Sequence, residues 1–439
     1  MAVLTKDEAY KILKKVLSYS KADACEVNLN GNDGGNIRYA RNSVSTSGYQ
    51  SDVTMVVQSN YGKKVGTATV NEFDDASLEK VVRRSEELAK LAPENPEFMG
   101  ILGPQGDYGD SKAYFDATAN ISPEYRAEAA KSSIEPAKKS DITAAGYLND
   151  NASFQSMANT KGLIAYHRST GVNFTITMRT NDGTGSGWAT RDFNDVAKFN
   201  AAEASAIAIE KSLKSRNPKA LEPGKYTVIL EPAATSGLLS QLMFSMGARG
   251  ADEGRSFLSK KGGETKLGEK IVDERVTLFS DPMNDRIPSS PWAGDGQKIN
   301  PHVWIENGVV KNLQYSRYWA EQKGKEPNPV GGSWGMNGGT ASIDELIKDT
   351  KKGILVTNLW YIRQVDPQTL LYTGLTRDGT FYIENGKIAF PVKNFRFNES
   401  PVIMLNNLET IGQADRVNGA LIPALKIRDF TFSSLSDAI

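Results

Sequence analysis

Val53–Asp74 reads V-T-M-V-V-Q-S-N-Y-G-K-K-V-G-T-A-T-V-N-E-F-D, and Phe174–Asp195 reads F-T-I-T-M-R-T-N-D-G-T-G-S-G-W-A-T-R-D-F-N-D. At a constant shift of 121, Thr54 matches Thr175, Asn60 matches Asn181, Gly62 matches Gly183 and Gly66 matches Gly187. Ala68 with Ala189, Thr69 with Thr190 and Asp74 with Asp195 complete the set. Both stretches read as a strand, an Asn-x-Gly turn, a second strand ending in Ala-Thr and an Asp-led connection into a helix. An internal duplication follows, over about 20–92 and 139–214, within an N-terminal α/β domain at 1–215. Two copies are too few for a solenoid, so one sheet with helices on a single face is expected.

Upstream, Thr5 with Glu8 three residues on predicts a capped helix whose apolar stripe is Ala9, Ile12, Leu13, Val16 and Leu17. Short alternating segments at 24–30, 36–40, 53–60 and 64–70, separated by Gly and Asn, predict an antiparallel meander. Helices are expected at about 76–91, from Ser122 to near Pro136, and at about 200–214, with a Pro- and Gly-rich connector from Ala92 to about Asn120. Asn217, Pro218, Pro223 and Gly224 mark a boundary. Beyond it, 222–439 predicts a mostly antiparallel β domain, with strands at 226–230, 303–306, 309–316, 353–361, 381–384 and 421–427. Ile-Glu-Asn-Gly occurs at 305–308 and again at 383–386, as hairpin tips. A strong helix follows Glu231-Pro232, with Leu238, Leu239, Leu242, Met243 and Met246 on one side. The fold class is α+β.

The whole chain has 439 residues, enough for two or three domains. Lys plus Arg and Asp plus Glu are both 52, so no overall charge favours nucleic acid or an anionic membrane, and the basic runs are no longer than pairs such as Lys14-Lys15. Direct nucleic-acid contact and membrane insertion are not expected. The first 20 residues lack the apolar core of a signal peptide, and the single cysteine, Cys25, cannot form an internal disulfide. A cytoplasmic protein is expected. Two histidines and one cysteine leave little for imidazole or thiolate chemistry.

Few motifs survive scrutiny. Gly331-Gly332-Ser333-Trp334-Gly335 matches the G-x-S-x-G nucleophile elbow in form, but no histidine lies downstream to complete a triad. A flexible glycine loop able to order over a ligand is the better reading. Gly183–Gly187 sits in a hairpin turn, and Gly263–Gly268 is followed by Glu269-Lys270 where a P-loop requires Lys and Ser or Thr. Asp281, Asp285 and Asp295 stand beside Pro, Asn and Gly, as turn residues do.

Four stretches in order then carry a resemblance: the duplicated unit with N-D-G-T-G-S-G-W-A-T, L-E-P-G-K-Y-T-V-I-L-E-P-A-A from Leu221, Lys352–Thr357, and R-D-G-T-F-Y-I-E-N-G-K-I-A-F-P-V-K from Arg377 to Lys393. Together they resemble the TldD/PmbA family, long described as modulators of DNA gyrase and related to metallopeptidases. The resemblance implies proteolysis of peptides or flexible small proteins. It also implies a choice between two kinds of subunit. The TldD type carries His-Glu-x-x-x-His on the helix after the first C-terminal strand, with a later cysteine as a further zinc ligand. Here those positions are Ser240, Gln241 and Ser245, and no cysteine follows Cys25. Neutral hydroxyl and amide oxygens are weak zinc ligands, and Gln241 cannot be a general base. Where relatives often carry S-P-F-D-x-E-G, this chain has Ser290-Pro291-Trp292-Ala293-Gly294-Asp295-Gly296.

The chain therefore resembles a PmbA-type subunit without a catalytic residue, metal or cofactor of its own, zinc being expected only in a TldD-type partner. The partner would be that subunit or a second copy, with a peptide or unfolded protein as substrate. Candidate substrate-chamber residues are Trp292, His302, Trp319, Ser333 and Trp334. Two alternatives stay open: an independent peptidase with an unconventional site at Ser333 or Asp295, and a non-enzymatic, homodimeric peptide-binding protein.

Overall fold

A computed structural model describes residues 3–436. The N-terminal half opens with α1 (Lys6–Tyr19), whose capping box is formed as expected: Thr5 Oγ1 accepts from Glu8 N–H and the Glu8 carboxylate accepts from Thr5 N–H at 2.8 Å. Strands β1 (Ala24–Ala40), β2 (Ser43–Tyr61) and β3 (Lys64–Val70) follow, then α2 (Asp75–Leu91). The one-turn α3 (Asp116–Ala119) lies in the connector. The second copy is α4 (Pro123–Lys139), β4 (Ile142–Asn159), β5 (Ile164–Thr180), β6 (Ser186–Phe193) and α5 (Ala201–Lys214). Each copy is thus a helix, three antiparallel strands and a helix. The copies join through β1 and β4 into one six-stranded sheet, ordered β3-β2-β1-β4-β5-β6.

The helices cover a single face. Beneath α1 and α2 lie Cys25, Val27, Leu29, Met55 and Val57; beneath α4 and α5 lie Tyr39, Leu148, Phe174, Ile176 and Met178. The matched glycines explain how the helices approach so closely. A Cβ on Gly66 would stand 2.1 Å from Ala89 N in α2, and one on Gly187 would stand 2.2 Å from Ala208 O in α5.

The expected turn between 30 and 36 is absent, and β1 runs unbroken through Gly31-Asn32-Asp33-Gly34-Gly35. The glycines here serve close approach instead. A Cβ on Gly34 would meet Asp150 O at 2.2 Å, and one on Gly35 would meet the Arg126 guanidinium at 2.1 Å. Helix α4 likewise continues past Pro136 to Lys139, since a proline this near the end forfeits only one intrahelical bond.

The C-terminal half begins with β7 (Gly224–Leu230), α6 (Pro232–Phe244) and α7 (Ala248–Asp252). Then come β8 (Leu278–Ser280), β9 (His302–Glu306), β10 (Val309–Val310), α8 (Arg317–Lys323), β11 (Trp334–Met336) and α9 (Ile343–Lys348). The chain ends in β12 (Lys352–Asp366), β13 (Leu371–Glu384), β14 (Lys387–Pro391), β15 (Phe395–Glu399), α10 (Pro401–Asn406), β16 (Leu408–Val417) and β17 (Ala420–Leu435). Strand β7 pairs parallel with β12 and antiparallel with β17, so β7, β12, β13, β15 and β17 close a ring. Its apolar filling includes Val228, Ile354, Phe395, Phe397, Ile427 and Phe430, all fully buried. Both Ile-Glu-Asn-Gly stretches are hairpin tips, with φ of 51° and 77° at Asn307 and Gly308 and 50° and 76° at Asn385 and Gly386.

Two strand expectations change. Only Val309–Val310 pairs in the segment read as 309–316, because Gln314 turns away to bridge Gly247. The strand read as 381–384 is the end of the longer β13, which absorbs Asp378 (φ 57°) and Gly379 (φ 120°) within its length. Among the described residues no helix is long and apolar enough to cross a membrane.

Candidate functional site

Helix α6 starts where β7 leaves the closed ring, and its entry residues set its orientation. Pro232 occupies the first turn, and the Glu231 carboxylate receives Lys211 Nζ of α5 at 2.5 Å, linking the two halves. Leu238, Leu239, Leu242 and Met243 are buried in the ring-side core. The spacing leaves Ser240, Gln241, Phe244 and Ser245 together on the other side. Phe244 is 68% exposed, and its ring meets the indole of Trp334 edge-on at 6.3 Å.

From Trp334 a row runs across three strands. Trp334 of β11 lies opposite Ser280 of β8, which lies opposite His302 of β9. Directly opposed residues share a face. Trp304, two residues on from His302, donates its indole N–H to Ser280 Oγ at 3.0 Å and holds its ring 5.2 Å from the imidazole. Burial pushes the His302 imidazole below its ordinary range. A neutral ring offers one donor and one acceptor nitrogen.

The fit to zinc is poor at the three motif positions. Ser240 Oγ already donates to Ser236 O at 2.7 Å, Gln241 presents a neutral amide, and Ser245 is the C-cap of the helix. Zinc takes imidazole, thiolate or carboxylate. Cys25 lies in the N-terminal core under α1, where burial pushes its thiol up to about 11. Among the described residues no cluster of three His, Cys, Asp or Glu side chains could hold a metal ion.

The other chamber candidates are scattered. Ser333 is 1% exposed, its hydroxyl donating to Ile287 O and bonding Ser289 Oγ at 2.7 Å, so it is a packed structural serine. The glycines around it differ: Gly335 is buried and pairs with Leu421, Gly331 is half-buried against Ile299, and Gly332 is exposed. Trp292 is 5% exposed and packs on Met157, Leu163 and Ala165 of the N-terminal half, where it seals the contact between halves. Trp319 of α8 donates to Asp252 at 2.6 Å and is flanked by the cations of Arg249 and Lys323, each 5.2 Å from its ring. Of these candidates, His302 and Trp334 share one row, with Ser280 between them. Phe244, Ser280 and Trp304 complete their surroundings, and Phe244 was findable four residues along the helix from Ser240.

Comparison with known proteins yields three family-model matches along the chain: PmbA/TldA metallopeptidase domain 1 over residues 25–89, the central domain over 117–215 and the C-terminal domain over 223–434. A metalloprotease of Methanothermobacter thermautotrophicus is 26% identical over 61% of this chain and 62% of its own length, less than two thirds of that relative. Metalloprotease PmbA of Escherichia coli O157:H7 is 21% identical over 97% of this chain and 98% of its own. The crystal structure of TldE from Thermococcus kodakarensis superposes with a TM-score of 0.86 at 18% identity, covering 97% of this chain and 99% of that one. A Bacteroides thetaiotaomicron structure, named for modulation of DNA gyrase, superposes with a TM-score of 0.87 at 21% identity, over 98% and 100%. At these identities the two structures establish the shared fold.

Proposed function

The chain belongs to the PmbA/TldD metallopeptidase family, and from that membership we propose that it is a PmbA-type subunit without a zinc centre, acting on peptides or flexible small proteins alongside a TldD-type zinc subunit. The observation that carries the reading is the residue set at the motif positions: Ser240, Gln241 and Ser245 supply neither imidazole nor carboxylate. Zinc in the partner would polarise the scissile carbonyl and activate water. This chain's own residues then bind and orient. Exposed Phe244 at the end of α6, backed by the buried Trp334, offers an apolar surface, and the neutral His302 imidazole adds a donor and an acceptor on the row behind it. Main-chain pairing at a sheet edge would hold an extended substrate with little sequence preference. Cys25 makes no demand on an oxidising compartment, and the proposal places the protein in the cytoplasm.

The test is a peptidase assay of this chain alone, of a TldD-type subunit from the same cell alone, and of both together, with elemental analysis of each. Expected are no stoichiometric zinc and no cleavage with this chain by itself, and chelator-sensitive cleavage by the mixture. Stoichiometric zinc or chelator-sensitive cleavage with this chain alone would overturn the assignment. Phe244→Ala is expected to raise KM of the mixture several-fold with little change in Tm, because the side chain is mostly exposed.

A further inference from the structure

The middle of the sheet face turned away from the helices is rich in neutral amides and hydroxyls. Along β1, Asn28, Asn30 and Asn32 occupy alternate positions and share that face. Asn30 lies opposite Thr54 of β2 and Gln155 of β4, and Gln155 lies opposite His167 of β5, giving one row of four polar side chains across the sheet. The next row is Asp52, Asn32, Ser153 and Ser169. A cavity of about 480 Å³ stands over both rows, roofed by Pro288–Ser290 from the C-terminal half. That size is within the range of ordinary ligand sites.

The row is unspent. Among the described residues, the side chains of Asn30, Asn32, Thr54, Gln155 and His167 make no hydrogen bond to the protein. His167 is only 7% exposed, yet its ring nitrogens find no protein partner while its edge lines the cavity. Buried polar groups are ordinarily paired, so such a side chain marks a place where something else bonds.

We propose that this cavity binds extended, uncharged polypeptide main chain, the amide rows pairing with peptide groups. Three features select that ligand. Alternate residues of a strand repeat at about 6.7 Å, which is also the two-residue repeat of an extended peptide laid along it. A side-chain amide carries the same donor and acceptor as a peptide group, so it pairs with main chain whatever the substrate's side chains. No Lys or Arg lines the cavity, and Asp52 is its one charged residue, which disfavours phosphates and nucleic acid. Burial also pushes the His167 imidazole down to about 4, so at neutral pH it keeps one donor and one acceptor; Asp110 is the charged group that opposes this. The inference rests on the peptide-handling reading above, and it assigns a subsite remote in sequence from the α6 positions.

Imidazole nitrogen NMR tests it directly, because the chain has only two histidines and His167→Phe assigns their signals. The probes are an uncharged alternating Ser-Ala peptide and its counterpart N-methylated at alternate residues, added to the full chain. The plain peptide is expected to move the His167 signals and leave those of His302 in place. N-methylation, or the double variant Asn30→Leu with Gln155→Leu, should weaken binding by about tenfold, with thermal unfolding confirming that the variant is folded. Binding that leaves the His167 signals unmoved, equal affinity for the methylated peptide, or no binding at all would overturn the proposal. If the peptide binds here but the paired subunits cleave nothing, the peptidase reading fails and the subsite stands. The converse result removes the subsite alone.

Discussion

Single residues in this protein hold charge in opposite senses on the same sheet face, and pH exposes both. His167 titrates near 6.5 when unfolded and near 4 when folded, because burial disfavours the imidazolium. Its folded state binds fewer protons between those values, so its contribution is fully favourable above about pH 6.5 and falls by about 3 kcal/mol as pH drops to 4. Glu26 runs the other way. Burial raises its carboxyl from 4.5 to about 7, so its contribution is favourable below pH 4.5 and declines by a similar amount, about 3 kcal/mol, as pH rises through 7. The two slopes oppose each other between about pH 4.5 and 6.5. Urea unfolding against pH should therefore steepen upward in Glu26→Gln and downward in His167→Phe; an unchanged profile in either variant would refute its burial-driven shift. At this scale Ser240, Gln241 and Ser245 stand out only through the family resemblance, which lays its zinc motif along this one helix. The sequence did not reveal that His302 and Trp334 share a row across Ser280, or that Trp292 and Trp319 lie elsewhere, because those arrangements join segments far apart in the chain.

At the scale of elements, turns and close approaches decide what each glycine tolerates. Gly62 and Gly308 both have positive φ, 56° and 77°, in hairpin turns. A Cβ on Gly62 would meet nothing within 4 Å, whereas one on Gly308 would stand 2.3 Å from Val272 O. Gly62→Ala should cost about 1 kcal/mol, from the left-handed backbone alone. Gly308→Ala should cost a further 1–3 kcal/mol or so from overpacking, and denaturant midpoints would separate them. A second element-scale device is the Arg126–Asp150 pair, with Nε to Oδ2 at 2.5 Å and Nη2 to Oδ1 at 3.0 Å, which joins α4 to β4 over Gly35. Its side chains are 4% and 5% exposed, so Asp150→Ala should cost about 3–5 kcal/mol by stranding the guanidinium. An equilibrium unfolding curve within 1 kcal/mol or so of wild type would contradict that. The hairpin tips at 305–308 and 383–386 were legible because Asn-Gly carries its turn geometry locally. The run Gly31–Gly35 reads locally as a turn, because glycine also serves where a neighbouring segment leaves no room, and the crowding groups, Arg126 and Asp150, lie roughly ninety or more residues away.

Across the whole molecule, the N-terminal sheet docks on the C-terminal half through a few polar clasps. Asp192 of β6 accepts from Arg416 Nε and Gly419 N–H, both at 2.8 Å, and Arg416 also reaches Asn194 at 2.7 Å. Tyr108 donates to Gly296 O at 2.6 Å beside the sealed Trp292. Asp192→Ala leaves Arg416 short of its carboxylate and is expected to split calorimetric unfolding into two transitions, one per half; a single transition at the wild-type temperature would show that the clasp does not couple them. The residues alone determined the duplication, the α+β class, the paired hairpins and the absence of a charge bias. Each of these is written in periodicity, turn chemistry or identity at neighbouring positions. The tertiary structure alone decided that β7 closes a ring, that His302 and Trp334 share a row, and that an unspent amide face with His167 looks into a cavity under Pro288–Ser290. Those depend on strand register and on the docking of two halves, which bring together side chains that no local pattern relates.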